Sequence, residues 1–308
     1  STILPRFENA KHRYQWRASF DIHAALLAPK QLAAITRQDV LDVLKPIWDS
    51  KHVTASRVRG RLENLFDHAI QNGVYPHDNP ARWSLFSATL SSPRRQEGKG
   101  HQPAMPRAEI AAFVSELRKR QATSTAALEF VILTACRSGE VRLARWNEFD
   151  LKQMLWRIPA ARMKMRREHI VPLTHRMVEI LEAARQLHLE GDTGDELVFP
   201  GQKTGKPLSD MTLRMIMRRM NVKKYTVHGF RSGFRDWAGN DTEFPRELAE
   251  EALAHSLVGV ERAYRREQAV ERRRVMMGAW EDFVNGKSLA SGRGKVLPFK
   301  AAVGEGKA

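Results

Sequence analysis

Two histidines, an arginine and a tyrosine lie within the forty residues from Tyr225 to Tyr264, close to the carboxyl end of the chain. His228 and Arg231 stand three residues apart in the segment HGFR. On a helix that turns about 100° per residue, they project from one face, roughly 60° apart. Their imidazole and guanidinium groups would form a cationic, hydrogen-bonding edge that suits an anion such as a phosphate.

His255 and Tyr264 are nine residues apart, and on one unbroken helix they would face opposite sides. They converge only if the helix breaks between them. We therefore predict a helix over residues 245–254, a break at Ser256 and Gly259, and a short new helix that carries Tyr264. The alternative for each histidine taken singly is a cap or core residue, and only the four residues together predict a shared site.

Arg137 directly follows residues 124–135, which are apolar almost all round and predict a buried helix. A new helix is predicted from Glu140, with Ser138 as its N-cap. A guanidinium at such a junction is costly to bury unless it binds an anion. The alternative is a salt bridge to Glu140.

Two β runs, residues 155–160 and 169–173, flank the basic segment ARMKMRRE. They predict a hairpin with a cationic tip. Lys164 lies at that tip and can swing toward a bound backbone. The alternative is a solvated lysine.

The remaining pattern predicts a mainly α protein with a small β-hairpin or sheet and two domains. Helical periodicity predicts three helices near the amino end: one over residues 8–27, one after the N-cap candidate Thr36, and one from Thr54 to near Gly73. Together they predict a small, basic, all-helical module. Short apolar LVFP, residues 197–200, predicts one more strand. The predicted boundaries are a helical domain at 1–90, a linker at 91–105, a second domain at 106–285 and a disordered tail at 286–308.

Composition favours a polyanionic partner. The 308 residues contain 51 Lys and Arg against 35 Asp and Glu, a formal charge of +16. These cations are interleaved with apolar residues along the whole length, which favours nucleic acid over a ribosomal protein or a membrane-surface binder. Cys136 is the only cysteine, so an intrachain disulfide or a cysteine zinc cluster is excluded. The sequence shows no signal peptide and no long apolar run, which predicts a soluble protein of the cytoplasm.

The ordered set ACRSGE, a hairpin lysine, HGFR, AHS and AY resembles the tyrosine recombinases of the phage integrase type. The likeness is closest to integrases of prophages, satellite phages and genomic islands, and KPIW, RVRGRLE and NPARW resemble the core-binding domain of that family. The resemblance implies that Arg137 and Arg231 clamp the scissile phosphate and that Tyr264 is the nucleophile. It also identifies three further catalytic residues: Lys164 as the acid for the leaving 5′-hydroxyl, His228 as a proton-transfer aid, and His255 as a hydrogen-bond donor to the phosphate.

The implied activity is DNA strand cleavage and rejoining through a 3′-phosphotyrosyl bond, without metal, cofactor or ATP. The implied partner is double-stranded DNA, bound by a tetramer on two sites, with a monomer free in solution and accessory bending or directionality factors. The resemblance also implies a bacterial protein associated with the nucleoid. An inactive DNA-binding regulator and a type IB topoisomerase are the alternatives. Longer members carry a further amino-terminal arm-binding module, and we expect that it was either removed from this chain or is lacking in this branch of the family.

Overall fold

The computed structural model describes residues 4–7, 10–91, 103–186, 196–203, 205–255 and 266–287. The chain divides into two compact units, Ser1–Gly100 and His101–Ala308. Most of the predicted linker and of the predicted disordered tail lies outside the described residues. Within the described part, no helix is long and apolar enough to cross a membrane.

The first unit is built on three helices: α1 (Ala10–His23), α2 (Arg37–Trp48) and α3 (His52–Gln71). Thr36 caps α2, as predicted, because its backbone N–H donates to the Asp39 carboxylate at 2.9 Å while its hydroxyl accepts from the Asp39 N–H at 3.4 Å. Such a reciprocal pair satisfies two donors that a helix start leaves open. Trp48 and Phe66 lie in the core between α2 and α3.

Two arginines of α3 serve the fold of this unit. Arg59 donates to the Ala81 carbonyl at 2.9 Å, and Arg61 donates to the Gln15 carbonyl at 2.6 Å. Arg57, two residues before Arg59, is exposed. Of these three arginines of α3, Arg57 is therefore the one whose side chain is exposed and available to a partner.

The helices of the second unit in the described ranges are α4 (Arg107–Arg118), α5 (Thr123–Thr134), α6 (Ser138–Arg142), α7 (His175–Gln186), α8 (Thr212–Arg219), α9 (Gly229–Asn240), α10 (Arg246–Ala252) and α11 (Arg266–Val284). At their centre is α5, which is buried on every side, as its apolar composition predicts. This helix packs against α4, α6, α7, α8 and α11.

A three-stranded antiparallel sheet lies in the second unit, in the order β1 (Phe149–Asp150), β2 (Leu155–Ile158), β3 (His169–Pro172). The predicted hairpin is confirmed as β2 and β3. The two-residue β1 was not predicted, because it is too short to show a period. The strand predicted at 197–200 is wrong: Leu197 and Pro200 make only isolated bridges, since proline has no N–H for a ladder.

The last described helix, α11, is anchored to the centre of the second unit. Trp280 is fully buried and donates from Nε1 to the Ile132 carbonyl of α5 at 2.9 Å. Arg273 donates from Nη1 to the Ile170 carbonyl of β3 at 2.7 Å. These bonds fix the middle of α11 against β3 and its last turns against α5.

Candidate active site

Arg231 joins the ends of three helices. It lies in the first turn of α9 and is 4 % exposed. Its Nη2 donates to the carbonyl of Leu253, the C-cap residue of α10, at 2.7 Å, and its Nη1 donates to the carbonyl of Ala135, the C-cap residue of α5. The guanidinium thereby satisfies carbonyls that helix ends leave without intrahelical partners.

The backbone reverses sharply beside both of these carbonyls. Ala135 has φ 51° and Ala254, next to Leu253, has φ 49°, so both alanines are left-handed. That conformation costs an alanine on the order of 1 kcal/mol. Two strained positions thus border the Arg231 side chain, where the surrounding hydrogen bonds hold them.

Arg137 is the N-cap residue of α6. Its backbone N–H donates to Glu140 Oε2 at 2.7 Å, and its Nη1 donates to Glu140 Oε1 at 2.9 Å. The predicted alternative, an ion pair with Glu140, is therefore present. Ser138 is the first helical residue, so its predicted capping role is wrong: the Glu140 carboxylate, reaching back to Arg137, caps the helix. The Arg137 side chain stays 25 % exposed, which leaves donors open to a ligand.

His228 precedes α9 and adopts helical dihedral angles, with φ −66° and ψ −28°. The Arg231 N–H donates to the His228 carbonyl at 3.1 Å, so both residues start the same helix, as the HGFR spacing predicts. The glycine of that motif is required by packing. A Cβ on Gly229 would lie 2.4 Å from the Pro103 carbonyl oxygen, a distance that no side chain tolerates.

The side chains of Arg137, His228, Arg231 and His255 act on one another electrostatically. Burial, and then the charge of Arg137, lowers the pKa of Arg231. Burial, followed by the charges of Arg231, Arg137 and His255, lowers the pKa of His228. The Nε of Arg231 is buried and lacks a hydrogen-bond partner within the described residues. Mutually repelling cations with an unused donor form a place where a phosphate would be stabilised.

His255 follows α10 and contacts two charged side chains. Its Nδ1 lies 2.6 Å from Glu250 Oε2, and its Nε2 lies 3.2 Å from Arg231 Nη2. A guanidinium only donates, so Nε2 accepts and the proton sits on Nδ1. The network continues from Glu250 Oε1 to Arg235 Nε at 2.6 Å. Burial raises the pKa of Glu250, but the hydrogen bonds from His255 and Arg235 outweigh it and the pKa is lowered.

Lys164 lies on the exposed loop between β2 and β3. It follows the buried Met163, and the Arg166 N–H donates to the Met163 carbonyl at 3.0 Å, which closes a turn around Lys164. In the described part of the chain, no hydrogen bond or ion pair holds its ammonium group. The structure thus brings Arg137, His228, Arg231 and His255 together and leaves Lys164 at a hairpin tip.

Tyr264 lies outside the described residues, as does the helix break predicted at Ser256 and Gly259. The described chain stops at His255, within the site, and resumes at Arg266, the first residue of α11.

Sequence reasoning missed His169, a buried histidine on β3 paired with Ile158. Burial, and then the charges of Arg273 and Arg231, lowers its pKa to about 3. The imidazole is therefore neutral at physiological pH. The alternation of side chains along a strand predicts that His169 is buried. No local sequence pattern predicts that the charges of Arg273 and Arg231 act on it.

Glu250 was also missed, although its position five residues before His255, at the end of a predicted helix, is a usable signal. No group of three or more His, Cys, Asp or Glu side chains suited to a metal ion occurs among the described residues. The arrangement as a whole presents two guanidinium and two imidazole groups, which can bind the non-bridging oxygens of a phosphate.

Family comparisons agree with this geometry. Residues 104–271 match the model of the Phage integrase family, and residues 3–85 match the Phage integrase central domain. The chain therefore belongs to the phage integrase family, the tyrosine recombinases of prophage and satellite-phage type.

Two curated relatives show the range of likeness. The integrase of Enterobacteria phage P4 is 33% identical over 255 residues, which cover 76% of this chain and 56% of the relative. Prophage integrase IntZ of Escherichia coli (strain K12) is 30% identical over 274 residues, covering 88% and 65%. The chain thus spans less than two thirds of the length of these relatives.

Solved structures share the fold. A lambda integrase dimer bound to a COC' core site superposes with a TM-score of 0.62 at 18% identity, covering 85% of this chain and 95% of that one. The Tn1549 transposon integrase in complex with circular intermediate DNA gives 0.58 at 14% identity, covering 87% and 92%.

Proposed function

We propose that this protein is a site-specific DNA recombinase that integrates or excises a mobile genetic element. It cleaves and rejoins DNA strands through a covalent 3′-phosphotyrosyl intermediate. The observation that carries the proposal is the convergence of Arg137, Arg231, His228 and His255 from three separate helix ends, in a chain of the phage integrase family.

Arg137 and Arg231 are the proposed phosphate clamp. Their guanidinium groups would bind the non-bridging oxygens, whose negative charge grows as the phosphorus becomes five-coordinate. Arg231 is held at both ends of its fork by the Ala135 and Leu253 carbonyls, so it needs little reorganisation when DNA binds. Glu140 holds Arg137 on one side only and leaves the other side for the phosphate.

The Tyr264 oxygen would attack the phosphorus and expel the 5′-oxygen. Lys164 protonates that leaving oxygen, and His228 takes up the tyrosine proton. The lowered pKa of His228 keeps its imidazole neutral and able to accept a proton. The phosphotyrosine conserves the energy of the broken phosphodiester, so the strand is rejoined without ATP.

His255 would donate a hydrogen bond from Nε2 to the phosphate. In the DNA-free protein that nitrogen accepts from Arg231, so donation requires a second proton on the ring. The Glu250 carboxylate, 2.6 Å from Nδ1, accepts the proton of that nitrogen and orients the ring so that Nε2 faces the site.

Double-stranded DNA is the proposed partner, and the charge of +16 supports it. Solved relatives are a lambda integrase dimer bound to a core site and a lambda integrase tetramer bound to a Holliday junction, which supports a tetramer on two sites. We assign DNA core binding to residues 1–90, a linker to 91–105, catalysis to 106–285 and a tail to 286–308. Accessory factors and a place at the nucleoid belong to the same proposal.

The test is covalent trapping on host DNA, followed by sequencing of the junctions. We expect a protein–DNA adduct at defined sites, lost in Tyr264→Phe and retained in Tyr14→Phe, whose ring is 72% exposed. An adduct with Tyr264→Phe contradicts the nucleophile assignment. DNA binding without any adduct indicates a regulator, and relaxation of supercoils without exchange between two duplexes indicates a topoisomerase.

A further inference from the structure

The hairpin that carries Lys164 is tied to the arginine clamp by one largely buried side chain, that of Arg162. This residue lies two positions before Lys164, and its side chain is only 18% exposed. Its Nη1 is ion-paired with Glu148 Oε1, and its Nη2 donates to the backbone carbonyl of Glu140. Arg162 therefore touches α6, the helix whose Glu140 carboxylate orients Arg137.

The anchor for Arg162 is itself fixed. The Glu148 side chain is 4% exposed, and its Oε2 accepts from Trp156 Nε1 at 2.9 Å. Trp156 belongs to β2 and stacks on Phe149 with the ring centroids 5.3 Å apart. A buried carboxylate with two donors has little freedom, so Glu148 holds Arg162 in one position.

The same geometry explains why a lysine would be too weak here. One guanidinium reaches a carboxylate and a carbonyl at once because its donors form a rigid fork. An ammonium group carries its three N–H donors on one nitrogen, so it reaches two separated acceptors poorly. The Nε of Arg162 is buried with no hydrogen-bond partner in the described ranges. The position of the side chain is therefore set by its two Nη contacts and not by a full set of hydrogen bonds to all of its donors.

We propose that Arg162 is a positioning residue that sets where Lys164 stands relative to the phosphate clamp. Met163 and Arg162 fix the backbone just before the turn, and the exposed Lys164 then has only its own side chain to place. Without this tie, α6 and the hairpin tip would move independently, and the ammonium would spend less time near the 5′-oxygen. The inference rests on the proposed function.

A leaving-group substitution isolates this role. In cleavage the bond from Tyr264 oxygen to phosphorus forms, the bond from phosphorus to the 5′-oxygen breaks, and a proton passes from Lys164 Nζ to that oxygen. A 5′-bridging phosphorothiolate leaves as a thiolate, and since a thiol ionises with a pKa of about 8.5, it needs no proton donor. A defect in proton delivery therefore disappears on the sulfur substrate, whereas a defect in binding the phosphate oxygens persists.

The experiment compares single-turnover cleavage of oxygen and sulfur duplexes built on a junction recovered by covalent trapping, with the full chain. Lys164→Ala should cleave the oxygen duplex about 10²–10⁴-fold more slowly than the wild type and the sulfur duplex at nearly the wild-type rate. Arg162→Lys and Glu148→Gln should cleave the oxygen duplex about 10- to 100-fold more slowly and should also regain the wild-type rate on the sulfur duplex. His255→Ala should stay slow on both, and Arg167→Lys, an exposed arginine of the same hairpin, should match the wild type on both.

Each variant is judged by the ratio of its own two rates, so a partly misfolded preparation does not distort the result. Equal defects on oxygen and sulfur for Arg162→Lys overturn the inference and leave the proposed function standing. The same holds if amide hydrogen exchange over residues 163–168 is unchanged in DNA-free Arg162→Lys, where we expect faster exchange. No cleavage of either duplex by the wild type overturns the proposed function itself.

Discussion

Arg231 and His255 meet directly: Nη2 of the arginine lies 3.2 Å from Nε2 of the histidine, 24 residues further along the chain. The same Nη2 donates to the Leu253 carbonyl at 2.7 Å. The fold of α9 against the end of α10 therefore assembles two of the proposed phosphate ligands before any DNA is present. Such preorganisation lowers the cost of stabilising charge in a transition state.

Replacing Arg231 with lysine should impair both folding and cleavage. Lysine cannot bridge the Ala135 and Leu253 carbonyls, so we expect a loss of about 1–3 kcal/mol in the free energy of unfolding. Cleavage should fall about 10²–10³-fold, because the fork that binds the phosphate is lost. Urea denaturation and suicide-substrate cleavage measure the two effects. Arg120→Lys, at an exposed position just after α4, is the control, and cleavage at the wild-type rate by Arg231→Lys would refute the clamp.

Replacing Glu250 with glutamine should slow cleavage without preventing DNA binding. The amide is a weaker acceptor for the His255 Nδ1 proton than the carboxylate and orients the ring less firmly, so we expect a loss of about 10- to 100-fold in the cleavage rate. Glu247→Gln makes the same change in the first turn of α10 at an exposed position. Single-turnover cleavage and a DNA mobility shift are the measurements. Equal rates for the two variants would show that Glu250 does not act on His255.

The stability of the protein should depend on pH through His169. Its pKa is about 3 when folded, against an ordinary value of 6.5, so the unfolded chain binds the proton more readily. Stability is fully present above pH 6.5 and is lost as the pH falls toward 3. At pH 5 the loss amounts to about 2 kcal/mol.

Urea denaturation at pH 8 and pH 5 checks this prediction. The wild type should lose about 2 kcal/mol more between these pH values than His169→Asn does. His175→Asn, exposed at the start of α7, should behave like the wild type. If His169→Asn shows the wild-type pH dependence, the buried histidine does not titrate as proposed.

Two glycines of α9 offer a matched pair. Gly229→Ala would place a Cβ 2.4 Å from the Pro103 carbonyl oxygen, whereas Gly239→Ala meets nothing within 4 Å. We expect Gly229→Ala to destabilise the protein by about 1–3 kcal/mol and to reduce cleavage by displacing His228. Gly239→Ala should be neutral or stabilising by up to about 1 kcal/mol. The measurement is the melting temperature of both variants. Equal melting temperatures would contradict the predicted clash between a Cβ at position 229 and the Pro103 carbonyl oxygen.

The sequence by itself predicted most of the helices of the second unit and the hairpin that carries Lys164, because these depend on local periodicity and turn residues. The spacing of His228 and Arg231 likewise sufficed to put both at the start of one helix. The order of motifs indicated the family, which the family comparison confirmed. The prediction of a strand at 197–200 was wrong because a short apolar run does not reveal whether a neighbouring strand exists to pair with it.

Only the tertiary structure decided which charges face one another. Arg231 bonds to carbonyls 96 and 22 residues away, and Arg162 reaches Glu140 across 22 residues. No local pattern specifies such partners, because the contacts depend on how helix ends and a hairpin pack around α5. For the same reason, the buried neutral state of His169 follows from desolvation and surrounding cations that exist only once the chain is folded.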